Sequence, residues 1–429
     1  MKVLWLTNHI LPEHDSSLGK EALPVGGWMP ALADALTESR QVELGIATNV
    51  PGCLWTKKLI NNKIYFSIPI ARNINYRSLP LALIQDYQRV VNEFKPDIIH
   101  IHGTEYFHGL ITGRKYIKGP TVISIQGLID VYKKHYFGEI GFSDLVKSRT
   151  LRDWIRLDGL IEQKIKWYRR AKWEQEIFAS NITFIGRTQW DRAHTRRMNP
   201  AARYYHCDEL LRAPFYEADW NIDNINRHTI YASSASYPLK GFHVLLKAIS
   251  LLHHEFPDIR VRIPSVGLYH TESGINRIWK NIRSGGYARY LANLIKEKGI
   301  GDHIFPLGNL DARMVVEELK KAHVFVLPSF IENSPNSLAE AMLVGTPSVT
   351  SFVGGVPSMV HDGQSALCFP PGDEAMLAEQ IRQFFLNDDL LSQLSVQARD
   401  IASIRHQKEE IVRHTIEIYR SERDSFSMK

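Results

Sequence analysis

The chain is predicted to be an α/β protein of two Rossmann-like domains, and three observations carry that expectation. Its 429 residues exceed one ordinary core and suit two domains of about 200 residues each. Short β-rich runs alternate with helical periods along the first half, and the alternation restarts after residue 226. The apolar fraction of 44% and charged fraction of 23% belong to a folded globular chain, not a disordered or fibrous one.

Taken in order, Lys2–Thr7 reads as the opening strand and Gly27–Leu36 as the start of a helix. Val42–Thr48, Asp97–His102, Thr121–Gln126 and Asn181–Ile185 are further strand candidates, with Leu81–Phe94 helical between them. Such alternation implies a parallel sheet covered on both faces. Arg227–Ala232 opens the second series, followed by a turn around Pro238 and the helix Phe242–Leu252, whose Leu245, Ile249 and Leu252 fall three or four apart. Ile259–Ile263, His303–Leu307, Ala322–Leu327 and Ser348–Thr350 continue it. The helix Glu374–Phe385 gathers Leu377, Ile381, Phe384 and Phe385 on one face. The expected division is an N-terminal domain at 1–207, a linker at 208–226, a C-terminal domain at 227–400 and a charged helical tail at 401–429 that packs back on the N-terminal domain or along the other. Two such domains, facing each other, leave a cleft outside the carboxyl ends of their strands.

Three cysteines, Cys53, Cys207 and Cys368, lie far apart and form no CxxC, which argues against a zinc site or disulfide framework and for a reducing cytoplasm. The opening MKVLWLTNHILPEHD turns acidic too soon for a secretory signal, and no apolar run is long enough for a conventional membrane span. The net charge is +6, and residues 133–172, with 11 Lys or Arg against 5 Asp or Glu, carry a net +6 by themselves. Trp154 and Trp167 lie in this stretch, read as a basic helical insertion of the N-terminal domain at about 133–175. A solvated helical insertion, a patch in peripheral contact with an anionic membrane, and a nucleic-acid contact all fit that composition.

The most informative text is Phe325-VLPSFIENSPNSLAEAMLVGTPSVT-Ser351. A strand ends at Pro328, a Pro-broken loop runs from Ser329 to Asn336, and a helix follows, for which Asn336 is a candidate cap supported by Glu340. A loop between a strand end and a helix start presents unpaired N–H groups that can hold a diphosphate. Glu332 and Glu340 bracket it. Carboxylates repel phosphate but accept hydrogen bonds from hydroxyls, so the pair suits one sugar hydroxyl group and one ribose. A cap and a solvated loop residue would read the same way. Lys240, before Gly241, closes the loop after the first strand of the second domain; it is a natural phosphate counterion or an ordinary surface lysine. Gly354-GVPSMVHD-Gly363 reads as a loop that lets backbone approach a ligand. No G-x-G-x-x-G follows the first strand and no G-x-x-x-x-G-K-[ST] occurs, which disfavours a nicotinamide dehydrogenase and a P-loop ATPase.

Glu332-NSPNSLAEAMLVGT-Pro347 resembles the hallmark of the retaining, nucleotide-sugar-dependent family 4 glycosyltransferases, whose fold is called GT-B. Val25-GG-Trp28, Pro96-DIIHIH-Gly103 and Leu239-K-Gly241 extend the resemblance over nearly the whole chain. It implies that Glu332 holds hydroxyls of the transferred sugar and Glu340 the ribose. Amides around Asn336, Ser337 and Leu338 would touch the diphosphate, Lys240 would neutralise it, and Gly27 would lie where the N-terminal loop nears the phosphates. It further implies a nucleoside-diphosphate sugar donor, no cofactor, no metal, and a saccharide or lipid-linked saccharide acceptor in bacterial polysaccharide synthesis.

Two departures stand out. Where the family often carries an acceptor-side histidine, Ile123-SIQG-Leu128 has Gln126, which can orient a hydroxyl but has no titratable nitrogen. Where many members pair the lysine with an upstream arginine, Ser233–Ser236 stand, leaving Arg187 and Arg212 as substitutes. His100, His102 and Glu105 follow one another in HIHGTE; His102 and Glu105 are divided between core packing and acceptor contact, with a third metal ligand lacking. Rival functions are a sugar-nucleotide epimerase of the same fold and a basic nucleic-acid-binding protein.

Overall fold

A computed structural model describes residues 1–18, 27–71, 74–264 and 285–428. The chain divides into two compact units. The first comprises Met1–Asp130, Arg169–Arg212 and Arg405–Lys429; the second comprises Val131–Tyr168 and Ala213–Ile404.

The first unit is built on eight strands: β1 Lys2–Thr7, β2 Glu43–Pro51, β3 Thr56–Ile60, β4 Lys63–Ile70, β5 Ile98–His102, β6 Thr121–Ser124, β7 Thr183–Gly186 and β8 Arg203–His206, ordered 3-4-2-1-5-6-7-8. All neighbours are parallel except the edge hairpin β3–β4. Its two turn residues, Asn61 and Asn62, have φ of 48° and 60°, the left-handed pair that a two-residue hairpin needs and asparagine tolerates. Strands β1 and β5 are buried on both faces, which is why they read as continuous apolar runs. The helix Lys408–Ser427 packs on this unit: Tyr419 is fully buried, and its hydroxyl bonds His100 Nδ1 at 2.7 Å and accepts the Trp5 indole N–H at 3.2 Å.

The second unit has six parallel strands: β9 Thr229–Ala232, β10 Arg260–Ile263, β11 Ile304–Pro306, β12 Val324–Leu327, β13 Ser348–Ser351 and β14 Leu367–Phe369, ordered 11-10-9-12-13-14. Two sheets, parallel apart from the β3–β4 hairpin and with helices between most successive strands, make the α/β class expected from the alternation.

The basic segment differs from its expected place. Residues 131–168 group with the second unit instead of the N-terminal domain, and the helix Leu160–Ser180 is divided between the units. The reason is long-range packing. His243 Nε2 donates to the Gly138 carbonyl at 2.7 Å, Arg289 donates to the Arg149 carbonyl at 3.1 Å, and Trp167 lies 6.1 Å from the Tyr237 ring. Gly138, at φ 55°, approaches so closely that a Cβ there would sit 2.4 Å from the Pro238 oxygen. Position along the chain carries no information about such partners.

Candidate functional site

Strands β9 and β12 are parallel neighbours, so the loops leaving their carboxyl ends run side by side. One ends in the short turn Pro238–Lys240; the other runs from Pro328 to Pro335 and enters the helix Asn336–Val344. The Phe330 amide donates to the Leu239 carbonyl at 2.8 Å and ties them together. Gly241 makes the approach possible: its φ is 68°, and a Cβ would fall 1.8 Å from the Pro328 oxygen.

This juxtaposition brings together two residues 92 positions apart. Lys240 Nζ donates to Glu332 Oε1 at 2.6 Å, and Ser329 Oγ donates to the same oxygen at 2.7 Å. Ser329 is fixed through its own carbonyl, which accepts from Ser351 Oγ at 2.5 Å. The Glu332 main chain is held by the Gly355 amide at 3.0 Å, beneath Gly354, where a Cβ would lie 2.0 Å from the Glu332 oxygen. Burial disfavours the charged Lys240, but the Glu332 carboxylate and Tyr237 outweigh it and hold the ammonium above its ordinary range. The Lys240 side chain remains 24% exposed against 8% for Glu332. An ammonium has three donors, so Lys240 can serve Glu332 and a second anion together.

The helix start corrects two sequence readings. Pro335, not Asn336, is the cap residue, and no side-chain cap bond forms; Asn336 is already helical. The Leu338 amide, expected at the diphosphate, donates to the Pro335 carbonyl at 3.1 Å, and its side chain is fully buried. The first amides of a helix lack an intrahelical carbonyl, and Asn336 and Ser337, both half-buried, hold those positions. Ser233 Oγ donates to Ser337 Oγ at 3.2 Å, so the first serine of the stretch 233–236 braces the helix start. Glu340 is buried one turn beyond Asn336, on the same helix face.

In the first unit the candidates separate. Gln126 and Glu105 border the left-handed Gly103, whose missing Cβ would lie 2.4 Å from Glu105 Oε2 and 3.8 Å from Gln126 Cγ. Glu105 Oε1 accepts the Gly127 amide at 2.9 Å, and burial pushes its carboxyl up. Gln126 Nε2 donates to Glu209 Oε1 at 2.7 Å. His102 turns away from this group: it is 3% exposed, with ring centroids of Trp5 and Trp28 at 4.3 and 5.2 Å, and burial drives its pKa well down. The ring thus packs in the core of this unit, the first of the two places its sequence left open. His100 is a core residue bonded to Tyr419 and Ser124.

Arg187 is not a substitute phosphate ligand. It pairs with Glu209 at 2.5 Å and donates to the Ile125 and Gln126 carbonyls at 3.3 and 3.2 Å. Gly27, by contrast, faces an arginine: a Cβ there would meet Arg212 Cδ at 2.5 Å. Val25 and Gly26, from the same sequence motif, lie outside the described residues. Among the described residues no three His, Cys, Asp or Glu side chains gather as an ion would require, and no helix is long and apolar enough to cross a membrane.

Sequence reasoning missed Ser329 and Glu209. Ser329 was legible as a hydroxyl three residues before Glu332. Glu209 fell in a stretch read as linker, and its role depends on strands β7 and β8 being neighbours.

The fold is that of GT-B glycosyltransferases. Sucrose-phosphate synthase from Thermosynechococcus elongatus superimposes with a TM-score of 0.74 at 17% identity, over 100% of both chains. Anabaena HepE, solved in complex with UDP-glucose, superimposes with a TM-score of 0.66 at 15% identity, over 98% of this chain and 100% of the other. Residues 217–401, which contain Lys240, Glu332 and Glu340, match the family described as Glycosyl transferases group 1. The chain is 29% identical over 183 residues to the D-inositol 3-phosphate glycosyltransferase of Corynebacterium urealyticum, an alignment covering 43% of this chain and 40% of the relative. The matched part thus spans about two fifths of that relative's length.

Proposed function

We propose that the protein is a glycosyltransferase that moves a sugar from a nucleoside-diphosphate sugar to a saccharide or lipid-linked saccharide acceptor, with retention of anomeric configuration and without a metal, in polysaccharide synthesis. The observation that carries the reading is the Lys240–Glu332 pair at the head of the helix Asn336–Val344. It joins a partly exposed cation, a carboxylate and the positive end of a helix within one family-matched segment.

Each group has one task. Lys240 and the Asn336 and Ser337 amides stabilise the charge that gathers on the departing diphosphate, the electrostatic contribution that an ion would otherwise supply. Glu332 accepts hydrogen bonds from sugar hydroxyls and opposes positive charge developing at the reacting carbon. Glu340 accepts the ribose hydroxyls. Gln126 and Glu105 orient the acceptor; Gln126 has no titratable nitrogen to act as a base, and the departing diphosphate receives the acceptor proton. The protein works in the cytoplasm.

Incubation with UDP-, GDP- and ADP-sugars and candidate acceptors tests the proposal. Nucleoside diphosphate released in step with a new glycoside, its anomeric centre retained by NMR and its rate unchanged by EDTA, is the expected result. Inversion, or loss of rate restored by Mn²⁺ or Mg²⁺, would sink the corresponding part. Conversion of the nucleotide sugar without any acceptor would replace transfer by epimerisation.

A further inference from the structure

Residues 142–157 hold the densest run of exposed apolar side chains among the described residues. Phe142 and Val146, 73% and 50% exposed, stand one turn apart on the helix Phe142–Ser148. Leu151, Trp154 and Ile155, at 61%, 60% and 74%, share a face of the helix Leu151–Arg156, and Leu157 follows it. This is not the inner side of the segment. Leu145 and Ser148 are buried, Asp153 closes a capping box with Thr150, and Gly286 abuts both Asp153 and Ser148. The outer side is therefore held in place by bonds made on the other side, and no described residue of its own unit covers it.

Charge tells what the surface suits. Arg149 and Arg152 are neutralised by Glu162 and Asp158. Lys147, Arg156 and Lys166 are exposed and make no ion pair among the described residues. The Arg149 guanidinium lies 3.7 Å from the Trp154 ring centroid, which fixes the indole at the edge of the patch. Exposed apolar side chains with the unpaired cations Lys147 and Arg156 next to Val146 and Ile155 in the chain match a layer that is apolar beneath and anionic above. A second copy of the chain matches it poorly, because a two-fold contact between these faces would gather Lys147 and Arg156 of both copies in one interface.

We propose that this face docks the protein on an anionic lipid bilayer, with Phe142, Val146, Trp154 and Ile155 entering the headgroup–acyl boundary and Lys147, Arg156 and Lys166 meeting lipid phosphates. The inference goes beyond the proposed transfer, since docking needs neither donor nor acceptor.

The test is co-sedimentation of the full chain with vesicles of phosphatidylcholine, with and without phosphatidylglycerol. Binding is expected to require phosphatidylglycerol and to fall as salt rises from about 0.05 to 0.5 M, where screening shortens to a few ångströms. Lys147→Glu with Arg156→Glu should weaken it at least about fivefold for each residue. Trp154→Ser with Ile155→Ser should weaken it roughly tenfold or more. Both double variants should keep circular dichroism and nucleoside-diphosphate affinity unchanged, so loss of docking is separated from loss of fold or donor site. Equal binding to both vesicles, or undiminished binding by either double variant, would overturn the proposal. So would lipid-free self-association, seen by analytical ultracentrifugation and lost in Trp154→Ser/Ile155→Ser, which would assign the face to a second copy. A wild-type chain that docks but binds no nucleoside diphosphate would remove the proposed function and leave this surface standing.

Discussion

Each unit sets a carboxylate against a cation at the carboxyl end of its sheet, and the two pairs are spent differently. Arg187 and Glu209 follow the neighbouring strands β7 and β8; both side chains are nearly buried, and the guanidinium also donates to two backbone carbonyls. Lys240 and Glu332 follow the neighbouring strands β9 and β12, but here the cation is 24% exposed and bonds the protein through Glu332. The first pair fixes where the loop carrying Gln126 lies. The second leaves a charged group with donors to give away. The residue type sets this contrast as much as burial does: a planar guanidinium with five donors suits a fixed set of acceptors, whereas an ammonium on a flexible stem can share itself.

Breaking the pairs should therefore give opposite signatures. Arg187→Gln removes the guanidinium that pairs with the buried Glu209 and should destabilise the protein by about 3–5 kcal/mol. Denaturant melts would show it, while calorimetric titration of the remaining folded protein finds unchanged nucleoside-diphosphate affinity. An Arg187→Gln protein of native stability but poor nucleotide binding would reverse the assignments. Glu332→Gln should leave the fold intact and lower turnover about 30- to 1000-fold, equivalent to roughly 2–4 kcal/mol of transition-state stabilisation. Unchanged kcat in a folded variant would remove Glu332 from the mechanism.

Glu340→Gln sharpens the comparison within the second unit. Its expected ribose contact predicts weaker binding of intact donor and free nucleoside diphosphate alike, by about 1.5–3 kcal/mol. Equal affinity in both proteins would reduce Glu340 to packing beside the helix start. The smallest effect concerns a carboxylate with no cation. Glu174, buried in the first unit, accepts from the Asp130 and Ile129 amides and from Thr104 Oγ1, and makes no ion pair among the described residues. Burial lifts its pKa from 4.5 to about 8. The protonated form is thus favoured by folding, so its contribution is complete below about pH 4.5 and is lost as pH rises through about 8. Glu174→Gln should flatten that decline, narrowing the Tm difference between pH 5 and pH 8.5. Parallel pH–Tm curves for the two proteins would show that the carboxyl does not titrate in this range.

Much of the fold was written in local pattern. The apolar runs at Lys2–Thr7, Asp97–His102 and Ala322–Leu327 announce strands because a parallel sheet buries both faces of each. The hairpin β3–β4 was equally legible, in the adjacent Asn61 and Asn62 between two alternating runs, yet an expectation of parallel strands alone passed over it. The strands β8 and β14, of four and three residues, are too short to show a period.

The sequence by itself determined the α/β class, the two series of strands, and the strand–loop–helix text that holds Glu332, Asn336, Ser337 and Glu340, because those features depend on neighbours a few residues apart. Only the tertiary structure decided that Lys240 reaches Glu332, that Glu209 takes hold of Gln126 and Arg187, that His102 is packed between tryptophans, and that residues 131–168 join the second unit. Each of these depends on which strands become neighbours and which surfaces meet, and that choice is made by the burial of the whole chain at once. No stretch of sequence carries it, since hydrogen-bond and charge partners are selected by distance in space after the backbone has been placed.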